Sequence, residues 1–371
     1  MGEQATEPVV PPPDTEPLRV AWVAGAETIG RLGRVLQPLA VGLLDEMIEL
    51  AVLCPDGDAG ALAAAPCEVV PYAAARWWPL GGGPVEPLAG ELKRRKVAVL
   101  HGLDGSAGKL TADLARATAV PYFLSSDALA DRRRLAEAGR GAAAVLAASE
   151  PLQHALIGQA VCAGERVRLM RPGVYHVRRP TCFTEPGHST AVIAGGPLTD
   201  PGPFEAVLEC FAELSARQYD CVYFLIGDGP AERSLRKRAG ALGLREQLTF
   251  VVGQPLAELP GIFKSADLYV SPTTYSRIDI RSLLAMAAGV PVLAAGPAGV
   301  SDFLRDGETA TFFQATNAAE LTVKLAALLD DRAAARSLAA AAIEYVHVHH
   351  SPAVNVTGLA HLYKQAVAGG S

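Results

Sequence analysis

Two successive runs of alternating buried strands and helices constrain the fold of this chain more than any other feature of its sequence. The first run begins with the apolar stretch 18–25, which is typical of a strand buried on both faces. The second begins at Thr190–Gly195 and has the same character. Repeated strand–helix–strand units require parallel sheets covered by helices on both faces. We therefore predict an α/β protein with two doubly wound, Rossmann-like parallel-sheet domains that face each other across a cleft.

The boundaries between these regions follow from local composition. Residues 1–17 include three consecutive prolines and no apolar run, which predicts a disordered tail and not a secretory signal. The first domain is predicted over 18–175. A polar stretch interrupted by prolines at 176–190 indicates a linker. The second domain is predicted over 191–350.

The composition argues against several classes of protein. Of the 371 residues, 50% are hydrophobic and 19% are charged, as in an ordinary soluble globular protein. A formal net charge of -6 gives no electrostatic reason to expect a nucleic acid or an anionic lipid as partner. No run of about 18 apolar residues predicts a membrane span. Six cysteines without a C-x-x-C pair predict reduced thiols in a cytoplasmic protein.

Several short blocks of the second domain resemble the donor-binding half of the family 4 glycosyltransferases, which are retaining sugar-transfer enzymes of the GT-B fold. The blocks are Gly227-Asp-Gly-Pro230, 266–273 and 283–294. Any one block is weak evidence, but the whole set in this order implies the two-domain GT-B architecture. The resemblance also implies that the last segment, 351–371, is a helix that crosses back to the first domain.

In the first domain, the resemblance implies that two residues lie at the cleft. Gly30 matches the first of two glycines in the family's opening loop, and Arg31 replaces the second. His101 matches a histidine at a strand end, where it could bind an oxygen of the donor or the acceptor. A core histidine whose hydrogen bonds are satisfied is an equally good interpretation of His101.

The sequence departs from the family where the sugar donor would bind. The family's arginine and lysine, which hold the donor diphosphate, align with Gly196 and Pro201. The glutamate that faces the donor sugar aligns with Ser276, and the one that holds the ribose hydroxyls aligns with Leu284. One charge-assisted hydrogen bond contributes roughly 1.5–3 kcal/mol. The loss of four such contacts could weaken donor binding by about 5 kcal/mol, or three to four decades, and it leaves the catalytic residues unassigned.

Two features could replace the lost contacts. Arg277 and Arg281 are four positions apart at a predicted helix start, so both could point one way and clamp a phosphate or carboxylate. The alternative is a solvated face with Asp279 as the partner. The Gly195-Gly196 turn could present backbone N–H groups to an anion, although a plain strand-to-helix turn explains it as well. The predicted donor-binding residues are Gly30, His101, Gly195, Gly196, Gly227, Arg277, Ile278, Asp279, Ile280 and Arg281.

We expect no metal and no cofactor other than a nucleotide-sugar donor. His347, His349 and His350 have no carboxylates or cysteines at a fixed spacing, so they more plausibly mark a helix end than a metal site. The resemblance implies transfer of a hexose from a nucleotide sugar to an unknown acceptor, with retention. The expected partners are therefore a small-molecule donor and an acceptor.

Two alternatives remain open at this point. The scaffold could belong to a catalytically dead pseudo-glycosyltransferase that acts as a binding or scaffold protein, with a protein as its partner. The motivating observation is the loss of four charged contacts while the packing residues persist. The second alternative is a transferase whose donor carries no nucleotide, because Leu284 makes the ribose subsite apolar.

Overall fold

The computed structural model describes residues 16–25, 28–56, 66–73, 85–184, 187–254, 256 and 258–369. Most of the tail predicted at 1–17 lies outside these residues. Within them the chain forms thirteen strands and twelve α-helices. No helix in this part of the chain is long and apolar enough to cross a membrane.

The first half of the chain forms one parallel sheet. Its strands are β1 (Leu18–Val23), β2 (Ile48–Pro55), β3 (Glu68–Tyr72), β4 (Val99–Gly102), β5 (Tyr122–Ser126), β6 (Ala144–Ala147) and β7 (Val167–Leu169). The helices are α1 (Thr28–Asp45), α2 (Val85–Arg94), α3 (Gly108–Thr118), α4 (Asp131–Arg134) and α5 (Glu150–Gly158). Among the described residues the strand order is β3-β2-β1-β4-β5-β6-β7. The order reverses direction between β1 and β4, where ligands bind in sheets of this kind.

The second half forms a second parallel sheet. Its strands are β8 (Thr190–Gly195), β9 (Cys221–Ile226), β10 (Leu248–Val251), β11 (Leu268–Ser271), β12 (Val292–Ala295) and β13 (Thr311–Phe313). The helices are α6 (Pro201–Ala216), α7 (Glu232–Ala241), α8 (Leu259–Phe263), α9 (Ile280–Ala287), α10 (Ala318–Asp330), α11 (Arg332–His349) and α12 (Pro352–Ala368). Within the described range the strand order is β10-β9-β8-β11-β12-β13, with the reversal between β8 and β11.

The predicted fold class is confirmed, because both sheets are parallel and carry helices in alternation. One local expectation is wrong. Gly30 lies in the first turn of α1 and not in a loop, since the helix begins at Thr28. A backbone bond from Thr28 N to Gly25 O (3.2 Å) and a bond from the Thr28 hydroxyl to the Asp104 carboxylate hold this early start.

The segment that joins the two halves is hydrogen-bonded to the second sheet and its helices. Val177 N donates to Ala287 O at 2.8 Å, and Thr181 N donates to Gly289 O at 3.2 Å. Further along, the Asp267 carboxylate accepts from the backbone N–H of Phe183 at 2.5 Å. Residues in the predicted linker range are thus anchored to the second half of the chain.

The last helix, α12, packs on α1 of the first half. Its Tyr363 hydroxyl accepts from the Trp22 indole at 3.2 Å, and Lys364 forms an ion pair with Glu46 at 2.9 Å. The chain therefore returns to the first sheet at its end. This return adds a contact between the end of the chain and the first half.

Candidate functional site

The carboxyl edges of the two sheets meet at a short backbone bridge. Leu129 N donates to Ser276 O at 2.7 Å, and Ile278 N donates to Asp127 O at 2.8 Å. Ala128 and Arg277 lie opposite each other between these bonds as an antiparallel pair. The loop after β5 is thus joined to the loop before α9, and the interdomain cleft is closed at this point.

Two glycines of the Gly227-Asp-Gly-Pro230 motif allow the loops after β8 and β9 to touch. A Cβ atom on Gly227 would lie 2.0 Å from the carbonyl oxygen of Gly196. A Cβ atom on Gly229, whose φ is +153°, would lie 2.3 Å from the carbonyl oxygen of Leu198. The contact is held by a bond from Leu198 N to Asp228 O at 2.9 Å. The motif therefore shapes the floor of the site through close backbone approach.

The phenol of Tyr275 fills the space in front of Gly196, where the resemblance expects an arginine. A Cβ atom on Gly196 would lie 2.5 Å from the Tyr275 hydroxyl. The neighbouring Gly195 carbonyl accepts from the hydroxyl of Tyr269 at 3.2 Å. Burial raises the pKa of both Tyr275 and Tyr269, so both phenols are neutral donors at neutral pH. The sequence reasoning missed these tyrosines, because only the fold brings them against the glycine turn.

Arg281 supplies a positive charge close to these phenols. The Nε atom of Arg281 is buried and has no hydrogen-bond partner among the described residues. Burial dominates the pKa of Tyr275 and Tyr269, and the Arg281 charge acts against it by lowering both pKa values. The carboxyl edge of the second sheet therefore has a positive charge at Arg281, although Gly196 carries none.

Asp279 caps α9 with its own carboxylate. This side chain accepts a bond from Ser282 N at 3.2 Å and one from the Ser271 hydroxyl at 2.8 Å. It is 5% exposed, and its backbone N–H donates to the Ser301 hydroxyl at 2.9 Å. An internal anion thus occupies the positive end of the helix. The sequence analysis considered Asp279 as a partner of Arg277 and Arg281 on a solvated face. In the structure it is instead the buried cap of α9.

Arg277 does not share a helix face with Arg281, contrary to the expectation from their spacing, because it precedes the start of α9 at Ile280. Arg277 faces Asp131 of the first half instead. Burial and the neighbouring Asp104 raise the pKa of Asp131, and the Arg277 charge opposes this shift. The Asp131 carboxylate accepts the backbone N–H groups of residues 127 and 128 at 3.2 Å each, which holds the bridging loop in place.

His101 lies at the carboxyl end of β4 and is 3% exposed. Its Nε2 atom is 2.8 Å from the Ser125 hydroxyl, and its Nδ1 atom is bonded to the Tyr363 hydroxyl of α12. Burial lowers the pKa of His101 to about 3, so the ring is neutral at neutral pH. With Ile278 and Ile280 it lines a small cavity of about 80 Å³ between the two halves.

Pro201, Ser276 and Leu284, which the resemblance aligns with donor-binding residues, lie in three different environments. Pro201 begins α6, which Asp200 caps by accepting Gly202 N at 3.0 Å. The Ser276 side chain is exposed, whereas Leu284 is 4% exposed and lines a cavity of about 310 Å³. Across the described residues, no cluster of three or more His, Cys, Asp or Glu side chains could hold a metal ion.

Comparison with known proteins finds a family model that matches part of the second half of the chain. Residues 203–345 match the family model described as "Glycosyl transferases group 1". The second half of the chain is similar to group 1 glycosyltransferases. The alpha-D-kanosaminyltransferase of Streptomyces kanamyceticus is 32% identical over 127 residues, which are 34% of this chain and 33% of that protein. The D-inositol 3-phosphate glycosyltransferase of Nocardia farcinica is 30% identical over 184 residues, which are 47% of this chain and 40% of that protein. The chain thus spans well under two thirds of these curated relatives.

Solved structures match over almost the whole chain. Anabaena HepE, crystallised with UDP and glucose, aligns with a TM-score of 0.75 at 15% identity, over 93% of this chain and 98% of that one. A glycosyltransferase from Rickettsia africae aligns with a TM-score of 0.77 at 12% identity, over 95% of this chain and 99% of that one. At such low identity these matches establish the fold, which is GT-B.

Proposed function

We propose that this protein is a glycosyltransferase that transfers a hexose from a nucleotide-sugar donor to an acceptor with retention, and that Arg281 binds the donor diphosphate. The observation that carries this proposal is the buried Nε atom of Arg281, which has no hydrogen-bond partner among the described residues. It lies in the half of the chain that matches group 1 glycosyltransferases. A guanidinium group whose buried Nε atom lacks a partner is suited to an anionic ligand.

The chemistry of sugar transfer gives this cation a role. Negative charge develops on the diphosphate as it leaves the sugar, and a fixed cation stabilises that charge. Burial keeps the phenols of Tyr275 and Tyr269 neutral, so neither places a negative charge beside Arg281. A metal ion is not part of the proposal. The free thiols of all six cysteines support the inference of a cytoplasmic location.

A thermal-shift screen against uridine, guanosine and adenosine diphosphate sugars tests the proposal, followed by calorimetric titration of the best ligand. We expect one nucleotide to raise Tm and to bind saturably. Arg281→Gln should then weaken binding roughly 10- to 100-fold, because it removes a charge-assisted contact of roughly 1.5–3 kcal/mol. The exposed Arg233 of α7 offers a matched control, and Arg233→Gln should leave the affinity unchanged. No saturable binding at millimolar ligand, or equal binding by both variants, would contradict the proposal.

A second candidate function is a binding or scaffold protein without catalysis, and the Asp279 cap favours it. An internal carboxylate at the start of α9 repels a ligand phosphate placed there. Under this reading, a nucleotide site appears only after four contacts are restored by Gly196→Arg, Pro201→Lys, Ser276→Glu and Leu284→Glu. Tyr275→Ala must accompany them, because the phenol occupies the space in front of Gly196. Transfer from a sugar donor by the unmodified protein would eliminate this candidate.

A further inference from the structure

Two histidines meet where the segment that joins the two halves passes α11. The Nε2 atom of His176 lies 3.1 Å from the Nδ1 atom of His347, and the ring centroids are 5.0 Å apart. His347 is exposed in the last turn of α11, and His176 is half-buried in the joining segment. The two residues are 171 positions apart, so only the fold brings them together.

Hydrogen bonding determines which nitrogen of His176 carries the proton. Its Nδ1 atom lies 2.9 Å from the backbone oxygen of Val177. A carbonyl oxygen can only accept, so Nδ1 carries the proton and Nε2 presents a lone pair towards His347. Histidines that bind metal ions use the same arrangement, in which one ring N–H donates to a carbonyl group and the other nitrogen coordinates.

The separation of the two nitrogens suits a shared ion. Two nitrogens that bind one Zn²⁺ ion at about 2.0–2.1 Å, with an angle of about 90–109° at the metal, lie about 2.8–3.4 Å apart. The observed distance of 3.1 Å falls within this range. The ion would lie to one side of the line between the nitrogens, because half of that distance is shorter than a metal–nitrogen bond. His347 is exposed, so its ring can turn towards that position.

The surroundings of the pair favour a cation. The two histidines line a cavity of about 510 Å³ together with Asp45 and Glu46, and no lysine or arginine of the described residues lines it. Lys364 is paired with Glu46 at 2.9 Å and offsets part of this negative charge. Asp45 ends α1 and His347 lies in the last turn of α11, and the carboxyl end of a helix carries partial negative charge.

We propose that His176 and His347 together bind one divalent transition-metal ion, such as Zn²⁺, Cu²⁺ or Ni²⁺. Imidazole nitrogens suit these ions, whereas Mg²⁺ and Ca²⁺ prefer oxygen ligands. Water completes the coordination, because no group of three or more His, Cys, Asp or Glu side chains in the described part of the chain could hold the ion. The site shares no residue with the proposed donor site and goes beyond the proposed function.

A bound ion would cross-link the joining segment to α11. The next residue of that segment, Val177, already donates its N–H to Ala287 O of α9 at 2.8 Å. The ion would add a second attachment one residue earlier in the chain. A ligand that binds only the folded state stabilises it, so we expect the metal to raise Tm.

Calorimetric titration of the protein without a polyhistidine tag tests the site with Zn²⁺, Ni²⁺ and Cu²⁺. We expect one ion per chain, with Cu²⁺ bound most tightly. His176→Gln and His347→Gln should each weaken binding at least about tenfold, because each removes a ligand. His361→Gln, at an exposed position of α12, is the matched control and should leave the affinity unchanged.

Electron paramagnetic resonance of the Cu²⁺ complex counts the nitrogen ligands directly. We expect two in the unmodified protein and one after either His176→Gln or His347→Gln. His349→Gln tests whether the ion sits at the end of α11 instead, and it should change neither the count nor the affinity. The metal should also raise Tm of the unmodified protein and of His349→Gln, but not that of His176→Gln.

Three results would overturn the proposal. The first is an absence of saturable binding of all three ions. The second is an affinity that His176→Gln leaves unchanged or that His349→Gln lowers as much, since either would remove the joining segment from the site. The third is displacement of Zn²⁺ by an equal concentration of Mg²⁺, because it would mean that carboxylates and not the histidines hold the ion.

Discussion

The carboxyl edges of the two sheets use their polar residues in opposite ways. At the first edge, His101 is bonded through both ring nitrogens, and Asp131 accepts two backbone N–H groups. At the second edge, Arg281 has a buried Nε atom without a partner among the described residues. The Nε atom of Arg171 at the first edge is also unpartnered, but that guanidinium group forms ion pairs with Glu150 and Asp302. Polar groups that satisfy each other stabilise a fold, whereas an unsatisfied cation remains available to a ligand. The difference supports the proposed anion site at the second edge, whereas the polar groups of the first edge help to hold the two halves together.

The backbone bridge between the two sheets shows how the first edge holds the two halves together. Asp131 fixes the loop at residues 127–129, and that loop pairs with residues 276–278 of the second half. The pairing is made by backbone atoms, so it does not depend on the identity of Ser276. The contact between the halves therefore does not require the glutamate that the resemblance expects at that position.

The largest expected effect concerns Gly227, where the loops after β8 and β9 lie in close contact. Gly227→Ala places a Cβ atom 2.0 Å from the Gly196 carbonyl oxygen, and a backbone atom cannot move away without displacing β8. We expect the free energy of unfolding to fall by roughly 3 kcal/mol, with loss of ligand binding. Denaturant unfolding measures this. Gly261→Ala is the control, since nothing lies within 4 Å of a Cβ atom there. Equal stability of the two variants would show that the loops after β8 and β9 can move apart to accommodate the added Cβ atom.

The next effect tests whether the first edge is a neutral, structural cluster. His101 has a pKa of about 3 in the folded state, below the ordinary value of 6.5. The unfolded chain therefore binds a proton that the folded chain does not, and stability is lost as pH falls from 6.5 towards 3. Between pH 6.5 and pH 4 this loss should be roughly 2–3 kcal/mol.

His101→Gln should flatten this dependence of the free energy of unfolding on pH. His361→Gln, at an exposed position of α12, should preserve it. Urea unfolding at several pH values makes the comparison. If His101→Gln keeps the full wild-type slope, the ring is not the buried neutral group described here.

A smaller effect tests whether Tyr275 occupies the place in front of Gly196. Gly196→Ala should destabilise the protein by roughly 1–3 kcal/mol, because its Cβ atom would lie 2.5 Å from the Tyr275 hydroxyl. Tyr275→Phe removes that hydroxyl, so the same substitution should cost less in the Phe background. A double-mutant cycle measures the coupling. Additive effects within about 0.5 kcal/mol would mean that the two residues are not in contact.

The smallest expected effect distinguishes the role of Arg277 from that of Arg281. Arg277→Gln removes a charge that faces Asp131, so the pKa of Asp131 should rise further. Carbon-detected NMR titration of the Asp131 carboxyl group measures this shift. The free energy of unfolding should change by no more than about 1 kcal/mol, and nucleotide affinity should stay the same. A loss of affinity as large as that of Arg281→Gln would place Arg277 at the anion site instead.

Much of the fold could be predicted from the sequence, and the reasons are local. Strands β8 and β11 are buried on both faces and appear as continuous apolar runs, so their bounds follow directly from the pattern. Strands β3, β7 and β13 were not predicted. β7 and β13 are only three residues long, and all three lie at the edges of their sheets, where burial is incomplete. Their sequences therefore lack the apolar run that marks the central strands.

The site was less predictable, because its contacts join residues distant in sequence. The motif glycines were recognisable, but nothing near Gly196 in the sequence indicates that Tyr275 lies against it. The spacing of Arg277 and Arg281 predicted a shared helix face, which required the helix to begin before Arg277. The Asp279 cap starts α9 at Ile280 and so separates them. A capping residue at that position was the available signal for this boundary.

The most direct test of the central claim is a crystal structure of the protein with a nucleotide diphosphate sugar. We expect diphosphate density at the carboxyl edge of the second sheet, with a phosphate oxygen about 3 Å from the Arg281 guanidinium group. Diphosphate bound at the first sheet's edge beside His101, or at the second sheet's edge without contact to Arg281, would contradict the proposed role of Arg281.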